Sequence, residues 1–157
     1  MNAQAQKAAR NKLFFETGYG HYESIFLGCG LQLDQKQSIN LRAGNSIAIQ
    51  DKQQFSAAVT YNRILFSFKE NKCNILLNPK IIYWTLEDPY FKFYSLAFEP
   101  AIESRLLLSD FLTFFAGSGP LINFQLKSVR KTNDAIGWPN KAGLNFNFGF
   151  RMNLSKL

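Results

Sequence analysis

No stretch of this 157-residue chain approaches the roughly 18 to 20 uninterrupted apolar residues that a helix needs to cross a bilayer. If the chain spans a membrane, it must do so as a closed barrel, because hydrocarbon offers no partner to an unpaired backbone group. Metal and redox chemistry find little to work with. There are two cysteines and one histidine, and Cys29 and Cys73 belong to no CxxC or Cys/His cluster, so only their pairing stays open. Phosphate-cradling glycine motifs, metal-ligand clusters and nucleotide fingerprints are absent, and no cofactor is expected. Charged residues are scarce at 18%. The formal charge of +7 is scattered singly among turns and alternate positions, with no basic helix or stripe, which argues against a nucleic-acid partner and for contact with anionic lipid. The N-terminus has no apolar h-region, yet "AQAQ" (3 to 6) has the small-x-small form of a signal-peptidase site. Residues 1–11 are read as a flexible tail left by a cleaved signal peptide, and 12–157 as one domain.

What the chain does have is aromatic residues, 15% with 16 Phe, finely interleaved with polar ones. "GLNFNFGFRMNL" (143 to 154) sets Leu144, Phe146, Phe148, Phe150, Met152 and Leu154 against Asn145, Asn147, Gly149, Arg151 and Asn153. Only a strand sorts such a sequence into two chemically distinct faces. Period-two segments bounded by turn signals give eight strands near 12–20, 24–33, 38–50, 55–68, 73–86, 90–106, 111–127 and 143–155. "PAIESRLLLSDFL" has some helical periodicity, but Glu103 and Arg105 alternate against Ile102, Ser104 and Leu106, and it is read as strand, turn, strand. "DQKQ", "KENK" and "LLSD" make short turns after every second strand, while residues 129–142 form a longer connection. Pro79 and Pro100 are expected at bends, bulges or edge-like positions. Short turns at one end and a longer loop at the other fit an all-β, eight-stranded antiparallel up-and-down transmembrane β-barrel.

The polar faces decide which side is out. They combine glycines with lone charges: Glu16, Arg42, Lys80, Glu99, Glu103, Arg105 and Arg151. Solvent-facing strand positions are usually long and polar, and glycine is poor there. An eight-stranded barrel, however, has an interior just wide enough for its own side chains. The polar face is therefore expected to fill the barrel with a mutually neutralised charge network, and the apolar face to meet lipid. On the closing strand that lipid-facing set is Leu144, Phe146, Phe148, Phe150 and Met152. Tyr19, Tyr22, Trp84, Tyr90 and Trp138 fall near the long-loop end and are expected in an interfacial girdle. A soluble lipocalin-like barrel is the competing arrangement.

"KLFFETGYGHYES", "SINLRAGNSI", "FFAGSGPLI" and "GLNFNFGFRMNL" resemble the first, third, seventh and last strands of small outer-membrane β-barrel proteins of Bacteroidota, similar in architecture to the OmpA and OmpX barrels. The resemblance implies a Gram-negative outer membrane, periplasmic termini, and insertion through the last strand. Many such barrels end on an aromatic residue, whereas this chain ends on Leu157.

Candidate chemistry is sparse. His21, Glu23 and Ser24 offer a base, an acid and a hydroxyl for acyl transfer, but neighbours in one hairpin rarely converge on a common centre. Glu99 and Glu103 lie four residues and roughly 13 Å apart along a strand, too far for most paired-carboxylate catalysis. Lys127, Arg130, Lys131 and Lys141 near the long loop suit the phosphates of lipopolysaccharide. The expectation is a barrel without a through-pore, acting as a structural or accessory subunit of a larger outer-membrane assembly, secretion or import complex. The alternatives are a small passive channel and a lipid A acyl hydrolase or transferase using His21.

Overall fold

The computed structural model describes residues 12–45, 53–69, 72–87, 89–130 and 142–154. Eight strands follow one another: β1 Lys12–Gly20, β2 Ser24–Gln32, β3 Gln37–Asn45, β4 Gln53–Phe68, β5 Cys73–Glu87, β6 Phe91–Leu107, β7 Leu112–Arg130 and β8 Ala142–Asn153. Each pairs antiparallel with the next, and β1 pairs with β8 from Phe14↔Asn153 to Gly20↔Asn147, closing the barrel. No α-helix occurs among the described residues. The third strand expected over 38–50 is described as far as Asn45, and residues 46–50 lie outside the described set. β7 runs three residues past its expected end because β6 continues to pair with it up to Phe91↔Arg130.

The turns explain the tight closures. Asp34 accepts from the backbone N–H groups of Lys36 and Gln37, both at 2.7 Å, so one carboxylate holds the β2–β3 turn. Between β6 and β7, the Ser109 hydroxyl accepts from Leu112 N–H at 3.2 Å. These turns, the β4–β5 turn and the described chain ends share one rim, called the near rim; the β1–β2 turn lies at the far rim.

Glycine provides room inside the wall. A Cβ on Gly30 would run into the Phe14 ring, and one on Gly149 would lie 2.8 Å from Phe115 Cζ. Both rings are buried in the lumen, and each fits because the strand beside it carries no side chain at that point.

The prolines sit away from both bulges but at a gap in the β6–β7 pairing. Pro79 sits directly opposite Pro100, and the β5–β6 register passes through the pair unbroken. On β7, the pairs Phe98↔Ile122 and Ile102↔Ser118 bracket the same level, which sets Pro120 across from Pro100. Three outward-facing prolines thus form a row across three adjacent strands in mid-wall, where none has an N–H to give the ladder. The bulges fall elsewhere, at Ile64/Phe66 in the β4–β5 pairing and at Tyr94/Ser95 in the β6–β7 pairing.

Candidate functional site: the lumen network and the outer wall

Eight buried ionisable side chains from six segments meet in the lumen. Glu16 on β1 accepts from Arg151 on β8, through Nε at 2.7 Å and through a second guanidinium nitrogen. It also accepts from Arg42 on β3, through Nε at 3.0 Å and with a second nitrogen 2.9 Å away, and from Asn40 at 2.5 Å. Arg42 extends to Glu23 at 3.4 Å and lies 3.8 Å from Glu103. Lys80 stands between Glu23 at 3.4 Å and Glu99 at 3.2 Å, and Arg105 closes on Glu103 at 2.6 Å. Glu16, Glu23, Glu99 and Glu103 balance Arg42, Lys80, Arg105 and Arg151, so the cluster is formally neutral. Buried charges persist only when paired in this way.

Amides and rings complete the packing. Asn62 donates to Asn40 at 2.9 Å, Asn78 to Asn62 and to Glu103 at 2.7 Å each, and Asn145 to Glu99 at 2.5 Å. With the Asn147 amide nitrogen facing the Gly117 carbonyl, its oxygen lies 2.9 Å from Lys80 Nζ. The Arg151 guanidinium sits 3.8 Å above the Phe14 ring centroid, and that of Arg42 lies 4.6 Å from Phe26 and 5.3 Å from Phe115. Guanidinium planes tolerate this stacking because they are weakly hydrated and meet the negative face of the ring.

The seven charges expected from strand parity all belong to this network. The eighth, Glu23, comes from the His21–Glu23 turn, where a period of two no longer applies. Charge counting could have found it. The seven contain four cations and three carboxylates, so a neutral interior required one more acid. Glu23 turns inward from the far rim, and Ser56 Oγ donates to its carbonyl at 3.0 Å while Gln54 donates to the Tyr22 carbonyl at 2.5 Å. Ser24 adopts φ 58° to make that inward turn. Burial pushes the Glu23 carboxyl up, but the charges of Lys80 and Arg42 outweigh it and hold the group below the ordinary carboxylate range. Glu23, the acid two residues from His21, is therefore committed to Arg42 and Lys80. The His21 ring is instead exposed and edge-on to Tyr22.

Two of the expected girdle aromatics face inward. Trp84 is buried with Ala58, Ile82, Ala97 and Leu121, with Tyr22 and Leu86 packed against the group. The Trp84 indole N–H donates to Asn123 at 3.1 Å, and its ring meets Tyr22 edge-on at 5.7 Å. Height along the strand suggested an interfacial position, but parity places Trp84 on the same face as Lys80. The polar filling therefore gives way to an apolar plug near the far rim. Tyr19 and Tyr90 do face outward, 45% and 50% exposed; Trp138 lies outside the described residues.

The outer wall is the chemical opposite of the lumen. Leu144, Phe146, Phe148, Phe150 and Met152 are all exposed, as are Leu27, Leu41, Ile81, Phe98 and Phe124 on other strands. An apolar surface that continuous suits hydrocarbon and not water. Cys29 is exposed on this wall, Cys73 is half-buried, and both are free thiols.

No protein-family model and no curated protein matches the chain. Among solved structures the chain is similar to Acinetobacter baumannii CarO, with a TM-score of 0.45 and 6% identity over 89% of this chain and 96% of that one.

Proposed function

We propose that this protein is an outer-membrane barrel without a through-pore that serves as a structural or accessory subunit of a larger outer-membrane assembly. The observation behind this reading is the inversion itself. The lumen is filled by a neutral network capped by an apolar plug, and the largest apolar surface is the exterior. Among the described residues no cluster of His, Cys, Asp and Glu is arranged to hold a metal. Among the described residues, charges committed to one another and the apolar plug support a lumen without a through-path for ions. The wall is then the surface left for function, first against lipid and next against a neighbouring protein. Both described chain ends lie at the near rim with the short turns, which corresponds to periplasmic termini in the outer membrane.

Membrane fractionation followed by mild-detergent affinity isolation tests location and partnership together. Recovery in the outer-membrane fraction with subunits in fixed stoichiometry is expected. A lone monomer in every mild detergent would remove the subunit role. Planar-bilayer recording separates the passive-channel alternative, since a steady open current contradicts a plugged lumen.

A further inference from the structure

The far rim carries an outward cleft that the lumen does not use. Across β3 to β7 the register aligns Asn45↔Phe55, Phe55↔Thr85, Thr85↔Tyr94 and Tyr94↔Lys127. This outward row runs once around the long-strand side of the barrel. The outward row below it is apolar, from Leu27↔Ala43 and Ala43↔Ala57 to Ala57↔Tyr83 and Tyr83↔Leu96. Above it stand Glu87 and Lys92, an ion pair at 2.7 Å. Two outward-facing levels, four residues and about 13 Å of strand, thus carry the wall from apolar to ionic. That change marks the level at which lipid headgroups replace acyl chains.

At this level a cleft of about 210 Å³ is lined by Asn45, Gln54, Phe55, Thr85, Glu87 and Lys92. Lys92 Nζ lies 5.7 Å from the centroid of the Tyr94 ring, beside the exposed Lys127 opposite Tyr94. The direction of Lys127 is a product of the bulge. The register shifts between Tyr94↔Lys127 and Ser95↔Gln125, leaving Leu126 without an opposite residue and turning Lys127 outward. Directly beneath the cleft, Ala43 and Ala57 lie side by side between the larger Leu27 and Tyr83. Two small side chains between two large ones leave a shallow dip at this one level, with the exposed Leu41 and Val59 on the level below.

We propose that this cleft binds the phosphate-bearing headgroup of a membrane lipid, with Lys92, which keeps Glu87 as a second partner, and Lys127 from the rim beside the cleft facing the phosphate, Asn45 and Thr85 its neighbouring oxygens, and the acyl chains against the apolar wall below. Two ammonium groups on one rim suit a lipid phosphate, and the apolar wall directly beneath is the feature that a soluble phosphate cannot use. The site rests on the membrane reading above and deepens it.

Native mass spectrometry of the full-length protein released from detergent micelles tests it, with dioleoyl phosphatidylglycerol, dioleoyl phosphatidylethanolamine and dioleoylglycerol each added as probes. Both phospholipids are expected to be retained over the phosphate-free diacylglycerol. The Lys92→Ala/Lys127→Ala variant should retain about 30-fold less phospholipid, the loss expected for two surface lysines. A Lys36→Ala/Lys72→Ala variant, altered at the near rim, should match the unaltered protein. Heat-modifiable migration in electrophoresis confirms that each variant is folded. Equal retention of diacylglycerol, or full retention by the Lys92/Lys127 variant, would overturn the site. So would displacement of phospholipid by equimolar inorganic phosphate, which would leave an ion site without a lipid. If instead the protein remains in solution without detergent and retains none of the three lipids, the membrane reading itself fails.

Discussion

Removing the carboxylate of Glu16 should destabilise the barrel more than removing the charge of its partner Arg151. Glu16 accepts from Arg151, Arg42 and Asn40, whereas Glu16 is the ion-pair partner of Arg151. A Glu16→Leu substitution leaves the buried Arg151 guanidinium over the Phe14 ring without its paired carboxylate, and Arg42 with Glu23 and Glu103. Breaking a buried pair from one side costs about 3 to 5 kcal/mol, and the orphaned Arg151 puts Glu16→Leu at the upper end. In Arg151→Met the Glu16 carboxylate keeps Arg42 and Asn40, so the loss should be nearer ~2 kcal/mol, about that of one charged hydrogen bond. Combined, the two substitutions should cost less than their sum, because the double variant buries no orphaned charge. Urea unfolding in lipid vesicles, followed by tryptophan fluorescence, reads these values. With a slope of about 2 kcal/mol/M, Glu16→Leu should shift the midpoint by about 2 M and Arg151→Met by about 1 M. Equal shifts, or strictly additive ones, would refute the account of Glu16 as the hub joining β1, β3 and β8.

The depressed Glu23 carboxyl gives a pH test. Its contribution to stability is present above the ordinary carboxylate pKa and is lost as pH falls through its lower folded value. The stability difference between the unaltered protein and Glu23→Gln should therefore be largest at neutral pH and shrink on acidification; a constant difference from pH 7 to pH 3 would contradict the pairing with Lys80 and Arg42. Gly30→Ala should cost about 1 to 3 kcal/mol by pressing into the Phe14 ring, and Phe14→Leu in the same chain should recover part of it in urea titrations. In a Trp138→Phe background, Trp84 should resist quenching by brominated lipids because its ring lies in the lumen; strong quenching would return it to the membrane interface.

Most of the wall was legible because period two is a local property. Asn145, Asn147, Gly149 and Arg151 declare their face without help from any other strand, and the same alternation fixed Glu16, Arg42 and Lys80. Legibility stopped where the period breaks or where height and face compete. Glu23 enters the network from a three-residue turn. Trp84 sits high on its strand but on the inward face, and the aromatic rule speaks only to height. The Leu126 bulge that turns Lys127 outward depends on β6 and β7 pairing across it, a long-range constraint that neither strand carries alone. Residues 131–141, which hold Lys131, Lys141 and Trp138, lie outside the described set.

The proline row gives the wall a direction of weakness. Elsewhere adjacent strands are stitched by amide hydrogens, but Pro79, Pro100 and Pro120 place three residues without one along a single line across β5, β6 and β7. The aligned β6–β7 pairs stop at Ile102↔Ser118 and resume at Phe98↔Ile122, so a hairpin growing from the β6–β7 turn meets a gap in its ladder at that line. Assembly of this side of the cylinder is thereby divided into a near-rim segment and a far-rim segment, each with its own aligned pairs. Hydrogen exchange should show a silent line at the prolines themselves, with early-exchanging amides on both sides of it and late-exchanging ones towards each rim.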